Sequence, residues 1–202
     1  MISRPLKLGF LASGNGSSAR AIVAAIKAGE LAAEARLLIS NNKSAPALAF
    51  AAEEGVPALA IPTQADPEAA DARLAEAIAA HGVEIVVLSG YLRQLGPKTL
   101  RRYAGRVLNI HPGPLPAFGG HGMYGRRVHE AVIAGGAPES GICIHLVEEE
   151  YDRGPVIARR TVSLEAGDTA QTLEARVTAQ EPGFYLETLR KLISGELRLP
   201  HP

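Results

Sequence analysis

The sequence predicts one α/β domain in which helices cover a mostly parallel β-sheet. Short apolar runs bounded by Gly, Pro and Asn alternate with alanine-rich segments in the first part of the chain, which is the pattern of strands joined by helical crossovers. The apolar run at residues 85–88 does not alternate with polar residues, as expected for a strand buried on both faces. The length of 202 residues suits a single domain, residues 1–202.

The first part of the chain provides most of the predicted sheet. The predicted strands are 6–12, 36–40, 57–61, 84–89 and 106–110. Predicted helices between them include 19–28 and 67–80, because alanine is the strongest helix former. A strand is followed by a helix three times, so we expect these strands to be parallel.

The pattern changes after Pro112. Residues 112–125 contain three Pro and five Gly, too many for a helix or a central strand, so they predict a long loop. Beyond the loop we predict, in order, a helix, two strands and a final helix. These are 126–134, 141–147, 155–163 and 169–194, with Pro182 as a candidate point of interruption.

Composition excludes several functional classes. The 21 Lys and Arg balance the 21 Asp and Glu, which argues against a nucleic-acid groove or an anionic membrane as the main partner. No apolar run approaches the ~20 residues that span a bilayer, and the first apolar stretch reaches Ser13 too early for a signal peptide. The single cysteine, Cys143, permits no intrachain disulfide, so we expect a cytoplasmic protein.

A glycine- and serine-rich segment follows the first predicted strand and opens a helix. Residues 13–18 read Ser-Gly-Asn-Gly-Ser-Ser, and free N–H groups at a helix N-terminus favour an anion. The spacing matches neither the dinucleotide fingerprint nor the P-loop, and Ser40-Asn41-Asn42 stands where a ribose-binding acid would follow. A phosphate monoester therefore fits better than NAD. The alternative is a tight turn without a ligand.

A second candidate site is Asn109-Ile110-His111-Pro112, at the end of a predicted strand. Ligands of open α/β sheets bind at the carboxyl ends of the strands, and alternation places Asn109 and His111 on one side. An amide and an imidazole together can stabilise an oxyanion, and His can also transfer a proton near pH 7. The alternative is a polar pair that satisfies the backbone of the following loop.

Asp152 is the third candidate, in the acidic segment between the last two predicted strands. Such a segment is usually a solvated turn, although Gly154-Pro155 can direct one carboxylate inward. The six His show no metal-ligand spacing, so no metal is expected, and no G-x-S-x-G motif supports a serine hydrolase. His145 is interpreted as a strand residue with a satisfied hydrogen bond.

Together these segments resemble the phosphoribosylglycinamide formyltransferases, folate-dependent enzymes of purine synthesis, over nearly the whole chain. The segments that carry the resemblance are 13–18, 89–95 (Ser-Gly-Tyr-Leu-Arg-Gln-Leu), 108–112 with Leu115-Pro116, 151–155 (Tyr-Asp-Arg-Gly-Pro) and Gln180-Glu181. The resemblance implies a Rossmann-like formyltransferase fold. Residues 1–105 would bind the ribonucleotide, and residues 106–202 would hold the catalytic groups and the folate.

The resemblance also implies a reaction without a metal. The amine of glycinamide ribonucleotide would attack the formyl carbon of 10-formyltetrahydrofolate. Asn109 and a protonated His111 would stabilise the tetrahedral intermediate, with Asp152 keeping His111 charged. The implied ribonucleotide-binding residues are Asn15, Gly16, Ser17, Ser18 and Glu181, and the implied folate-binding residues are Leu92, Arg93, Leu95, Asn109, Glu149 and Asp152. The partners would be these small molecules, with a monomer and a homodimer equally compatible.

Other functions share parts of this pattern. An N-formyltransferase of an amino sugar nucleotide would keep the same three catalytic candidates but would commonly carry more sequence. A formyltetrahydrofolate hydrolase usually has an extra N-terminal domain. An enzyme that formylates methionyl-tRNA would favour a basic C-terminal domain. A non-catalytic folate- or phosphate-binding module is the non-enzymatic alternative.

Overall fold

A computed structural model describes residues 4–200, and the remaining residues of the predicted domain, 1–3 and 201–202, lie outside this range. Within the described range one sheet contains seven strands in the order β3-β2-β1-β4-β5-β6-β7. The strands are β1 (Leu6–Leu11), β2 (Ala33–Ser40), β3 (Ala58–Ala60), β4 (Ile85–Leu88), β5 (Val107–His111), β6 (Glu139–Leu146) and β7 (Val156–Ser163). The helices are α1 (Ser17–Lys27), α2 (Pro46–Glu53), α3 (Pro67–Ala80), α4 (Pro97–Arg102), α5 (Arg126–Ala134), α6 (Ala170–Thr178) and α7 (Glu181–Ser194).

The first five strands are parallel, whereas β6 pairs antiparallel with both β5 and β7. This arrangement confirms the predicted α/β class with a mostly parallel sheet. The strand order reverses between β1 and β4, since β1 connects outward to β2 and β3 while β4 leads to β5. In open α/β sheets such a switch point opens a crevice at the carboxyl ends of the strands, and ligands bind there.

Apolar side chains fill both faces of the sheet. On β4, Ile85 and Val87 pack in the layer that contains α1, α6 and α7, while Val86 and Leu88 pack in the layer that contains α3 and α4. All four side chains are buried, which confirms the prediction for this strand. Burial of one such side chain contributes about 1.5–3 kcal/mol, so the strands that carry the site are held firmly from both sides.

The end of the chain differs from its prediction. Instead of one helix over 169–194, the structure has α6 and α7, which are separated at Ala179 and Gln180. Pro182 lies in the first turn of α7, where its missing N–H removes no helical hydrogen bond. The proline thus marks the beginning of a second helix, and this break brings Glu181 to the start of α7.

The long loop is as predicted, because residues 112–125 contain neither helix nor strand. Helix α2 was predicted only as the helix of the second strand–helix unit, without bounds, and helix α4 was not predicted. Within the described range, no helix is both long and apolar enough to cross a membrane.

Candidate active site

A cavity of about 910 Å³ opens at the carboxyl ends of β1, β4 and β5. Its wall is formed by the segments that follow these strands, by the loop of residues 112–125, by the β6–β7 connection, and by α6 and the start of α7. Each of these parts of the chain contributes side chains, among them Ser13, Arg93, Asn109, Asp152 and Glu181. The cavity therefore lies at the position that the sheet topology favours for a ligand.

The end of β5 supplies the first two candidates. Asn109 and His111 both line the cavity, as the alternation along a strand predicts. His111 is buried, and its Nε2 donates to the carbonyl of Phe118 at 2.7 Å. The amide of Asn109 lies 3.1 Å from Nε2 of His145, its antiparallel partner on β6. Nδ1 of His145 donates to the Leu146 carbonyl at 2.8 Å.

Asp152 reaches this pair from the β6–β7 connection. Its Oδ2 lies 3.5 Å from Nδ1 of His111 and its Oδ1 lies 3.4 Å from Nε2 of His145. Oδ2 also accepts the N–H of Gly120 at 2.9 Å. The three predicted catalytic residues thus meet in the structure, with His145 as a fourth member of the cluster.

Two glycines allow the loops to approach this closely. A Cβ at Gly119 would collide with the Leu115 side chain and would lie 2.9 Å from the Cβ of Asp152. A Cβ at Gly154 would collide with the carbonyl oxygen of Leu146. These close approaches fix the carboxylate of Asp152 against the end of β5.

Burial and charge set the protonation states. Burial lowers the pKa of His111 below 6.5, although Asp152 and the Phe118 carbonyl oppose the shift. The expectation that Asp152 keeps His111 charged therefore does not hold for the unliganded protein, because desolvation has the larger effect. Burial raises the pKa of Asp152, but contacts with His145, His111 and the Gly120 N–H together outweigh it and keep this pKa below 3.8. Burial also raises the pKa of Glu181 to about 7.

The other predicted binding residues fall into two groups. Leu92, Arg93 and Glu181 line the cavity, and the Leu92 side chain is 66% exposed. The residues that stand outside its wall are Asn15, Gly16, Ser17, Ser18, Leu95 and Glu149. Leu95 is buried in the core beside α3 and α4, and Glu149 is exposed, with its carbonyl accepting from Gln94.

The glycine-serine segment lies beside the cavity, joined to it through Ser13. The hydroxyl of Ser13 accepts the N–H of Leu92 at 2.8 Å. Gly16 precedes α1 in the left-handed conformation, with φ 65°. Within residues 4–200 no acceptor is found for the N–H groups of Ser17 and Ser18, whereas the N–H of Ala19 donates to the Ser89 hydroxyl at 3.0 Å. The first turn of α1 therefore offers free donors to an anion.

Sequence reasoning missed two histidines of the cavity region. His145 was interpreted as an ordinary strand residue, and only the β5–β6 register reveals its contact with Asn109. His129 on α5 is buried and lines the cavity. In the described part of the chain no group of three or more His, Cys, Asp or Glu side chains is arranged to hold a metal ion.

Known proteins provide independent evidence. The family model described as formyl transferase matches residues 6–189. The phosphoribosylglycinamide formyltransferase of Escherichia coli (strain K12) is 35% identical, over 94% of this chain and 88% of that protein. The chloroplastic phosphoribosylglycinamide formyltransferase of Vigna unguiculata is 39% identical, over 94% of this chain, and the chain spans 61% of its length.

A solved structure has the same fold. The phosphoribosylglycinamide formyltransferase of Bacillus halodurans superposes with a TM-score of 0.85 at 35% identity. The match covers 94% of this chain and 96% of that one. The predicted fold class is thereby confirmed at the level of a solved relative.

Proposed function

Because this chain belongs to the formyl transferase family, we propose that it transfers the formyl group of 10-formyltetrahydrofolate to the amine of 5′-phosphoribosylglycinamide, a step of purine biosynthesis. The relatives named for this acceptor match over most of the chain. The observation that carries the proposal is the meeting of Asn109, His111 and Asp152 at the end of β5 inside the cavity. An oxyanion donor, a proton carrier and a fixed carboxylate are the groups that formyl transfer to an amine requires.

The reaction begins with attack of the acceptor amine on the formyl carbon. A C–N bond forms, and the carbonyl electron pair moves to oxygen, where the amide of Asn109 donates to the resulting oxyanion. His111 is neutral before attack, because its pKa lies below 6.5. It therefore can accept the proton that the attacking nitrogen loses, and the imidazolium so formed is stabilised by Asp152.

Collapse of the tetrahedral intermediate completes the transfer. The electron pair returns from oxygen, the bond between the formyl carbon and the folate nitrogen breaks, and His111 gives its proton to that nitrogen. One proton thus passes from the amine to the departing nitrogen, and the side chain returns to its starting state. No metal ion takes part in this scheme.

The two substrates occupy different parts of the molecule. Residues 1–105 bind the ribonucleotide, with its phosphate on the free N–H groups near Gly16, Ser17 and Ser18 and with Asn15 beside them. Glu181 contacts the ribosyl group. The folate binds in residues 106–202, near the acidic segment that contains Glu149 and Asp152, with Leu92 and Arg93 on the same cavity wall. Leu95 is buried in the core and is therefore not proposed as a direct contact. The exposed side chain of Leu92 at the cavity wall supports an apolar contact with the folate ring.

We assign the protein to the cytoplasm, with small molecules as its partners. Cys143 is free and buried, and burial raises the pKa of its thiol. With this one cysteine the chain forms no internal disulfide, which suits a reducing compartment.

The product identifies the acceptor. The purified protein is incubated with 10-formyltetrahydrofolate and either glycinamide ribonucleotide or an amino sugar nucleotide, and the acceptors are analysed by mass spectrometry. We expect one added formyl group on the ribonucleotide and none on the sugar nucleotide. Formylation of the sugar nucleotide alone would contradict the proposed acceptor, and binding of both substrates without any product would support a non-catalytic module.

A further inference from the structure

His129 is a buried polar side chain in the cavity wall, and its Nδ1 has no protein partner among the described residues. It lies on α5, is 1% exposed and lines the cavity wall. Its Nδ1 makes no hydrogen bond within residues 4–200. A buried polar atom without a partner lowers stability, and such an atom in a native structure calls for an explanation.

The same part of the chain contains one other buried side-chain atom of this kind, the hydroxyl oxygen of Ser140 at the start of β6. Ser140 does not line the cavity. His129 is therefore placed where a ligand can provide a hydrogen bond, whereas Ser140 is not part of the cavity wall.

The groups around His129 define the chemistry of its ligand. Glu174, Thr178 and Glu181 line the cavity with it. Glu174 forms an ion pair with Arg126 at 2.7 Å. Burial lowers the pKa of His129, against the opposing effect of Glu174, so the imidazole is neutral at pH 7. Neither the neutral imidazole nor the carboxyl groups of Glu174 and Glu181 supply a positive charge for a phosphate.

A hydroxyl group fits these surroundings best. It can donate to a carboxylate and accept from an imidazole N–H, or donate to the imidazole nitrogen, without adding charge. Among the parts of the proposed acceptor, the ribosyl ring carries such groups.

We propose that His129 hydrogen-bonds a ring hydroxyl of the acceptor and thereby selects a ribosyl substrate. This inference rests on the function proposed above, and it adds a binding residue on α5 to the ribosyl contact of Glu181. The unpartnered imidazole lowers the stability of the unliganded protein. The bound acceptor provides the missing hydrogen bond.

Kinetics of three variants test the proposal. His129→Leu removes the hydrogen-bonding group, His129→Asn keeps one near the position of Nδ1, and Ser140→Ala is the matched control. We expect His129→Leu to raise KM for glycinamide ribonucleotide about tenfold and to leave KM for the folate unchanged. His129→Asn should recover part of this loss, and Ser140→Ala should match the wild type. Unliganded His129→Leu should be at least as resistant to thermal unfolding as the wild type, since it loses an unpartnered polar atom.

Acceptor analogues give a more specific test. Glycinamide ribonucleotides that lack the 2- or the 3-hydroxyl of the ring are compared in the wild type and in the His129 variants. We expect one analogue to raise KM in the wild type and to cause little further change in His129→Leu, because the two losses remove the same hydrogen bond. The His129→Asn variant permits the same comparison if His129→Leu does not fold.

The outcomes are distinct. Three results would overturn the role of His129. The first is that the effects of His129→Leu and of each analogue on KM are fully additive. The others are an unchanged KM in the His129 variants and an equal rise of KM for both substrates. A wild-type protein that forms no product with the intact ribonucleotide would instead overturn the proposed function.

Discussion

Burial and charge act in opposite directions at His111. Desolvation favours the neutral ring, whereas the carboxylate of Asp152, 3.5 Å away, favours the imidazolium. The balance leaves a neutral base in the unliganded protein, and the nearby carboxylate stabilises its protonated form. A group with this balance can serve first as base and then as acid within one turnover.

The Asp152→Asn variant tests this balance. Removal of the carboxylate charge eliminates the larger of the two influences that raise the pKa of His111, so we expect that pKa to fall further below 6.5. The measurement is the titration of the His111 ring followed by NMR, in wild type and variant. The formyl-transfer rate of Asp152→Asn should fall as well, since the imidazolium loses its partner. A His111 pKa that stays constant or rises in the variant would show that Asp152 does not act on it.

Glu181 gives a prediction for stability. Burial raises its pKa to about 7 from 4.5, so the folded protein holds a proton that the unfolded chain releases at lower pH. As pH rises from about 4.5 to 7, the wild type therefore loses free energy of unfolding relative to Glu181→Gln. Above pH 7 the difference should reach as much as about 3 kcal/mol. Urea unfolding at pH 4 and pH 8 measures it, with pH 4 as the internal control; equal differences at both pH values would exclude the shift.

At the residue level, the sequence was sufficient to locate the functional side chains at the end of a strand. Asn109 and His111 could be located because the end of β5 and the alternation along it are visible in the pattern. The contact of His145 with Asn109 depends on the antiparallel register of β5 and β6, and the burial of His129 depends on the packing of α5. Neither is encoded in a local pattern.

The elements around the site differ in how far local sequence determines them. Helix α3 has its predicted bounds, because the Asp66 side chain caps it and Pro67 begins it. Helix α4 was missed because its cap comes from a distant residue. The carboxylate of Asp71 accepts the N–H groups of Lys98 at 2.8 Å and Thr99 at 3.1 Å. A six-residue helix that is capped by a residue of another helix has no recognisable sequence pattern of its own.

The turn before α1 provides the prediction at this scale. Gly16 has φ 65°, and a Cβ there would lie 3.2 Å from the Cβ of Ala47 and 3.3 Å from that of Ala12. Gly16→Ala should lower the free energy of unfolding by about 1–2 kcal/mol and raise KM for the ribonucleotide more than KM for the folate. Gly14→Ala is the matched control, because a Cβ there meets nothing within 4 Å.

Chemical denaturation and steady-state kinetics measure both effects. Equal changes of the two KM values in Gly16→Ala would count against phosphate binding at this turn. A Gly14→Ala variant as unstable as Gly16→Ala would show that the left-handed backbone is not the cause.

On the scale of the whole molecule, one sheet joins the two proposed substrate regions. Tyr185 of α7 is buried, and its hydroxyl donates to the carbonyl of Leu108 on β5 at 2.9 Å. Helix α7 also carries Glu181 at its start, so the same helix is fastened to the strand that bears Asn109 and His111. The sequence predicted the class of the sheet, but not this attachment, since it depends on where the chain breaks between α6 and α7.

The most direct test of the account is an absorbance assay of folate deformylation with the purified protein, with and without glycinamide ribonucleotide. We expect deformylation that depends on the ribonucleotide and that falls about 10²- to 10³-fold in Asn109→Ala, which loses one oxyanion donor. Calorimetry should show that this variant still binds both substrates. Deformylation without the ribonucleotide would identify a hydrolase, and full activity of Asn109→Ala would contradict the assignment of the catalytic site.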